Sequence, residues 1–370
     1  MIHCKKETSL TEAEKDVFTG HLERHGLDKN VWDLYGEWVE RSTAQVSFLY
    51  LKVYADNDLI GLGLFLRVKP FDLRSSYSRL RGTKTSNKIG ALISKVSSNC
   101  VYVAFRNLVT SNHTRPFFFR EPELEPPAMQ AMLEYLKKEK EADMVTVVDT
   151  SINSNEYQQA GFASYPSSSE AWFDVTKYQD ISEYLAMHRS LRKNLARRKN
   201  RIQTEVRQGA LNADELQQIK NCVACSVENS RVSNPCQKFF EDNIFSTEVF
   251  NSDKYIFFLI RVDGVIAGFH VFQVSNASFG GVLGGFNREH SRNNFLYERV
   301  IVASLDYAIK NKLRRVHYSL VDNYTKLRLV DLLEPCGLYF YSRNPMNRAV
   351  FKHTFKYNDV YALSLLEKQD

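Results

Sequence analysis

Residues 133–149 read LEYLKKEKEADMVTVVD, and residues 305–322 read LDYAIKNKLRRVHYSLVD. Each begins with apolar residues at helical spacing, crosses a charged stretch and ends in a short β-branched run closed by aspartate. Each therefore predicts a helix that runs into a buried strand. The first copy leads to NEYQQAGFASY at 155–165, the second to LLEPCGLYFY at 332–341. An Ala-Gly-Phe or Cys-Gly-Leu step is expected to close a short helix in each copy. Glycine would supply the left-handed cap and the apolar residue would re-enter the sheet.

Working outward, the duplication extends upstream. VSFLYLKVYADNDLIGLGLFLRV at 46–68 reads as a hairpin around Asp56-Asn57-Asp58, and YIFFLIRVDGVIAGFHVFQV at 255–274 as a second one around Asp263-Gly264. VYVAFRNLV at 101–109 and SFGGVLGGF at 278–286 follow as strands. Pro126 and Pro127 are tolerated in a first helical turn and open the helix of the first copy. Residues 295–312 form the matching amphipathic helix. Both halves thus read hairpin, strand, helix, strand, short helix, strand. A repeated order predicts an α/β chain with mixed sheets and helices, built as two modules in tandem. The competing reading is one large irregular α/β domain. The first forty residues are expected to be helical, with Ser9 or Thr11 as caps, and residues 72–98 to form a basic, Ser-rich insertion that is mobile or covers the substrate.

With 370 residues and 44% hydrophobic content, the chain can bury sizeable cores. Its 25% charged content argues against wholesale disorder. A net charge of +6 leans toward anionic partners. No signal-peptide pattern and no apolar run of membrane-spanning length occur, so a cytoplasmic location is expected. The six cysteines are scattered and read as reduced thiols. Cys222 and Cys225 share one helix face rather than a zinc knuckle, and no metal is expected.

The element Asn155-Glu156-Tyr157-Gln158-Gln159-Ala160-Gly161-Phe162 resembles the short helix of GNAT acyltransferases, which carries a tyrosine ahead of a Gly-Phe step. The tandem arrangement is similar to that of Fem-type and related peptidoglycan-biosynthesis acyltransferases. In those, a strand like AWFDV at 171–175 leads to a helix with a basic run, here HRSLRKNLARRKNRI at 188–202. The resemblance implies an N-terminal GNAT-like half at 1–178 and a C-terminal half at 179–370 that carries the active cleft. It implies an N-acyltransferase moving an acyl group from a thioester donor, acyl-CoA or acyl carrier protein, to an amine. The Gly-rich pyrophosphate loop of GNAT enzymes is missing from both NLVTSNHTRPFFF and NREHSRNNFLYE. A Fem-type transfer from aminoacyl-tRNA and a catalytically inactive binding protein therefore stay open as alternatives.

Candidate residues gather in the second half. Gly284 and Gly285, with Gly280 and Gly281, weaken a central strand unless a close approach requires them. That approach would be a pantetheine arm or a helix packed against a bend. Arg288, Arg292, Asn293 and Asn294 lie where the resemblance puts the phosphate loop. In the first half Glu121, Glu123 and Glu125 stand there and would repel phosphate. Asp322 and Lys326 follow the last apolar strand as substrate-binding candidates, and Tyr324 is the candidate general acid for the leaving thiolate. His270 is the candidate general base. Seven Lys or Arg and no acid occur from Arg189 to Arg201. Met187, Leu191, Leu195 and Ile202 keep an apolar face, which leaves Arg192, Lys193, Arg197 and Arg198 for an anionic partner or for solvent.

Overall fold

The computed structural model describes residues 2–24, 29–69, 102–105, 117–138, 142–149, 155–166, 169–197, 199–209, 211–228, 255–275, 278–320, 324–349 and 352. The basic insertion expected at 72–98 lies outside them. The chain opens with a strand, β1 (Ile2–Glu7), rather than a helix, and continues through α1 (Glu12–Val17), α2 (Thr19–Arg24) and α3 (Asn30–Glu40). Thr11 caps α1 as expected. Its hydroxyl accepts the Glu14 N–H while its own N–H donates to the Glu14 carboxylate at 2.8 Å. The hairpin β2 (Val46–Ala55) and β3 (Asp58–Val68) follows, then β4 (Tyr102–Phe105), β5 (Phe117–Phe119) and α4 (Glu125–Lys138). The first half closes with β6 (Met144–Asp149), α5 (Asn155–Gln159), β7 (Ala163–Pro166) and β8 (Glu170–Asp174).

The second half begins with α6 (Ile181–Met187), α7 (Arg189–Ala196), β9 (Ile202–Gln208) and α8 (Ala213–Glu228). Its hairpin, β10 (Tyr255–Val262) and β11 (Val265–Ser275), leads to β12 (Ser278–Phe286), α9 (Arg288–Asn294) and α10 (Leu296–Lys310). It ends with β13 (Arg315–Leu320), α11 (Tyr324–Leu329), β14 (Leu332–Glu334) and β15 (Gly337–Ser342). Among the described residues no helix is long and apolar enough to cross a membrane.

The two sheets have the same order. One runs β1-β2-β3-β4-β6-β15-β7, with β5 also on β3, and the other β9-β10-β11-β12-β13-β8-β14. In each, the fourth and fifth strands are the parallel pair. The correspondence reaches single residues. Asp56 and Asp263 both take left-handed φ in the hairpin turns, at 54° and 51°. Gly61 and Gly268, five residues further on, both leave room for helix or strand side chains. The duplicated order read from the sequence is thus real, and the mixed α/β class with it.

The sixth place in each sheet is filled by the other half. β15 lies between β6 and β7, and β8 pairs antiparallel with β13 and β14. A cut at residue 178 therefore leaves neither sheet whole. Gly337, read as a helix cap, instead starts β15, and a β-carbon there would meet the Tyr339 hydroxyl at 2.8 Å and its ring at 2.9 Å. Gly161 does take the left-handed cap, with φ 80°. One core cluster joins Trp32, Tyr50, Leu64 and Phe118 of the first half to Cys222, Tyr255, Phe257 and Phe269 of the second. Helix α4 covers the other face of the first sheet and α10 that of the second.

Matching ion networks tie down the edge strands. Lys52 on β2, almost fully buried, donates to Glu7 of β1 at 2.5 Å and to Glu14 of α1 at 2.6 Å. Arg261 on β10 bridges Glu205 of β9 at 2.9 Å and Glu215 of α8 at 2.7 Å, with Arg207 against both acids. A buried cation is tolerated in such places because its charge is paired on two sides.

Candidate active site

The parallel pair of the second sheet separates almost at once. β12 and β13 are in register only at Ser278–Arg315, Phe279–Val316 and Gly280–His317. Beyond them β12 stays on β11 as far as Phe286, while β13 keeps its pairing with β8 on its other side through Leu320. A register shift at Val271/Phe272 marks the point where β12 leaves its neighbour. The result is a gap between two central strands that opens toward their C-terminal ends, where α/β sheets commonly bind ligands.

His270 sits across this point. A β-carbon at Gly281 would lie 2.8 Å from its Nε2, and one at Gly284 would lie 3.3 Å from its Cδ2 and Cγ. Its ring is held by Phe272 at 4.5 Å and Tyr318 at 5.6 Å. The Tyr318 hydroxyl is itself tied to the Ser304 hydroxyl. The glycines are thus required by the imidazole on one face. On the other, Gly285 is required by helix α8, since a β-carbon there would lie 2.8 Å from the Phe269 ring and 3.0 Å from the backbone of Cys222 and Val223. The sequence offered a ligand arm or a helix as the reason for the glycines; for Gly285 it is the helix.

Burial, with the nearby charge of Lys326 adding to it, pushes the pKa of His270 down to about 3. The imidazole is therefore neutral across the physiological range. General-base catalysis near neutrality favours a pKa matched to the operating pH, and burial moves the imidazole expected to serve as base away from that match. The shift has a consequence for stability. The unfolded chain takes up a proton near pH 6.5, the folded chain only near pH 3, so folding is opposed progressively as pH falls through that interval. Denaturant titrations from pH 7 to pH 4 are expected to show a steeper loss of stability in wild type than in His270→Phe.

Lys326 on α11 is 6% exposed and lies close enough to His270 to act on its charge. Tyr324 opens the same helix. Asp322 lies outside the described residues, as does Arg198. The stretch from Asn287 to Phe295, expected as an open loop, is a helix, α9, capped by the Asn287 side chain on the Glu289 N–H at 3.0 Å. Arg288 and Arg292 are carried on it, as is Asn293. Asn294 is buried, and its carbonyl accepts from Arg299 Nε at 2.9 Å.

The basic segment is not one helix. α7 ends at Ala196, residues 199–201 form a 3-10 turn, and Ile202 starts β9. Met187 is 62% exposed, and Leu191 alone of α7 is fully buried. Arg192, Lys193 and Arg197 are exposed with no carboxylate partner among the described residues. The neighbouring helix α6 packs on α11, with the Tyr184 hydroxyl donating to the Leu329 carbonyl at 3.0 Å. The basic segment therefore lies beside the elements that carry Tyr324 and Lys326.

No protein-family model matches the sequence, and no curated protein does either. Solved structures do. The chain is similar to FemX, with a TM-score of 0.55, 12% identity and coverage of 93% of this chain and 99% of that one. It is similar to a tandem GNAT protein from the clavulanic acid biosynthesis pathway, with a TM-score of 0.54, 10% identity and coverage of 93% and 99%. It is likewise similar to L-PGS from Bacillus licheniformis, with a TM-score of 0.54, 10% identity and coverage of 92% and 95%. The chain has the tandem GNAT, Fem-like fold.

Within that GNAT-like fold the two halves are not chemically equal. The hairpin position of His270 is taken in the first half by Gly63. Where β12 is continuous, the first half has two separate strands, β4 and β5, with residues 106–116 between them. Tyr157, the counterpart tyrosine, is wholly enclosed. Its hydroxyl donates to Asp149 at 2.7 Å and its ring stacks on Tyr339 of the exchanged strand at 3.9 Å. Sequence reasoning missed Arg299, Tyr318 and the contact between His317 and Glu170 of the exchanged strand. Each looked like an ordinary residue of an amphipathic helix or strand, and no local signal marks a partner supplied by another element.

Proposed function

We propose that the second half transfers an acyl group from a thioester donor, acyl-CoA or an acyl carrier protein, to an amine. The observation that carries this reading is the early separation of β12 from β13. Among the described residues it leaves the C-terminal part of β12 without a strand partner on that side, beside a gap in the half that also holds His270, Lys326 and Tyr324. A thioester arm laid in the gap would take the place of the missing strand pairing, and a backbone N–H would polarise its carbonyl. The amine nitrogen then bonds to the carbonyl carbon, the C–S bond breaks, and the nitrogen gives up a proton to solvent water. Tyr324, at the start of α11, protonates the departing thiolate. Neutral His270 serves as a hydrogen-bonding group for the acyl or amine end, and Lys326 supplies positive charge for developing oxyanion or phosphate.

One observation favours a second donor, aminoacyl-tRNA. Helix α9 stands where GNAT enzymes carry a Gly-rich phosphate loop, and exposed Arg192, Lys193 and Arg197 offer cations to a polyanion instead. Thermal-shift titration separates the two, because a ligand at a hundred times its Kd stabilises the folded state by about 2.7 kcal/mol. Acyl-CoAs of graded chain length are expected to raise Tm in a length-dependent way. A rise with aminoacyl-tRNA only, abolished by salt and by Arg197→Glu, would transfer the reading to the second donor. No rise with either would leave a binding protein without transferase activity.

A further inference from the structure

Arg299, in the first turn of α10, is 9% exposed yet makes no salt bridge among the described residues. Its guanidinium instead closes on three backbone carbonyls. Nε donates to Asn294 at 2.9 Å, and Nη2 donates to Leu195 at 3.0 Å and to Arg197 at 2.9 Å. These oxygens belong to the C-terminal ends of α9 and α7, where helix carbonyls lack intrahelical partners and carry partial negative charge. The planar fork of arginine suits such divergent acceptors, and lysine cannot reproduce it.

The site explains how α7 is held. Its side chains contribute little anchoring, since only Leu191 is fully buried and the basic residues face solvent. Its C-terminal backbone is pinned to α10, and α10 follows directly from β12 through α9. That is the end of the sheet toward which the β12–β13 gap opens.

We propose that Arg299 is a positioning residue that fixes the basic face of α7 at the mouth of the gap, so that a phosphate-bearing handle of the acyl donor is gripped in register with the reacting carbonyl. The inference rests on reading the second half as the acyl-transfer site, but its test is separable from turnover. Without the guanidinium, three carbonyls, that of Asn294 buried, lose this donor, and the end of α7 frays away from α10 with Arg197 on it.

The test measures binding of a fluorescently labelled RNA hairpin and, separately, of coenzyme A to wild type, Arg299→Gln, Arg299→Lys, Arg197→Glu and the Arg197→Glu/Arg299→Gln double variant, each at two salt concentrations. Arg299→Gln is expected to weaken binding of at least one probe about tenfold, with a salt slope shallower by roughly 0.7 to 0.9 for each phosphate that is no longer neutralised. Arg299→Lys should recover part of this, and the double variant should be little worse than either single one, because both changes act through the same cation. The two probes report whether the handle is polynucleotide or nucleotide. The proposal is overturned if wild type binds neither probe. It is also overturned if Arg299→Gln lowers Tm while affinity and salt slope stay at wild-type values, or if the two substitutions add fully. Should Arg299→Gln fail to fold, Arg299→Lys carries the same comparison. Probe binding that depends on Arg299 in a protein that transfers no acyl group would refute the proposed function and leave the positioning role standing.

Discussion

In the Tyr324→Phe variant, kcat for acyl transfer is expected to fall on the order of a hundredfold, about 2.7 kcal/mol of transition-state stabilisation, with donor affinity nearly unchanged. The split matters more than the size. A general acid acts on charge that develops as the thioester breaks, so removing it lowers kcat and kcat/KM together. A residue that merely supports α11 would alter donor binding and Tm as well. Tyr157→Phe is the matched control in the first half. Its hydroxyl donates to buried Asp149, so its loss removes one donor from a desolvated carboxylate and costs about 1 to 3 kcal/mol of stability. Because Tyr157 is sealed under Tyr339, kcat in that variant should stay near the wild-type value. Full activity in Tyr324→Phe together with a large kcat loss in Tyr157→Phe would move the chemistry to the first half.

The second large effect concerns the glycines of β12, and here two substitutions of one methyl group each should behave differently. Gly285→Ala drives a β-carbon to 3.0 Å from helix backbone and 2.8 Å from the Phe269 ring. The helix cannot rotate out of the way, so the strand and α8 must separate, at a cost of about 3 kcal/mol. Gly281→Ala presses on the edge of the His270 imidazole, at 2.8 Å, while its contact with the His317 carbonyl at 3.5 Å is an ordinary one. That ring is wedged by Phe272 and Tyr318, so the single change should cost about 2 kcal/mol, yet His270→Ala in the same molecule should relieve most of it. Chemical denaturation of the four proteins in this cycle checks it. Additive costs at Gly281 and His270 would mean that the glycine serves something other than the imidazole. The same cycle has a functional reading. If His270 orients substrate in the gap, Gly281→Ala should impair transfer more than its stability cost explains.

Much of the fold was legible in the residues themselves. The two hairpins announced themselves through alternating apolar runs around Asp56-Asn57 and Asp263-Gly264. The helices α4 and α10 did so through 3.6-residue periodicity, and the strands β6 and β13 through short β-branched runs. All are local signals, set by side-chain sterics and backbone preference within a few residues. Because the same order appeared twice, the tandem α/β architecture followed without a single diagnostic motif. Local signals also misled where they ran past an element's true end. The basic run at 188–202 carried a helical apolar spacing through Ile202, but the chain leaves the helix after Ala196 so that Ile202 can pair with Val262 in the sheet. The start of the chain read as helix, yet Ile2–Glu7 pairs along β2, where Glu7, with Glu14 of α1, meets the buried Lys52 charge.

What the sequence by itself determined was therefore most of the inventory and its duplication: the central strands and the two long covering helices, where the hairpins turn, and which half carries His270, Lys326 and the basic run. The tertiary structure alone decided how these are put to use. The exchange of β8 and β15 between the sheets, the early parting of β12 from β13, the lowered pKa of His270 and the carbonyl cage of Arg299 depend on partners remote in the chain. Strand pairing, desolvation and hydrogen bonding to a distant helix end are settled by the whole folded chain competing against water. A residue's neighbours in sequence carry no record of which remote group wins that competition.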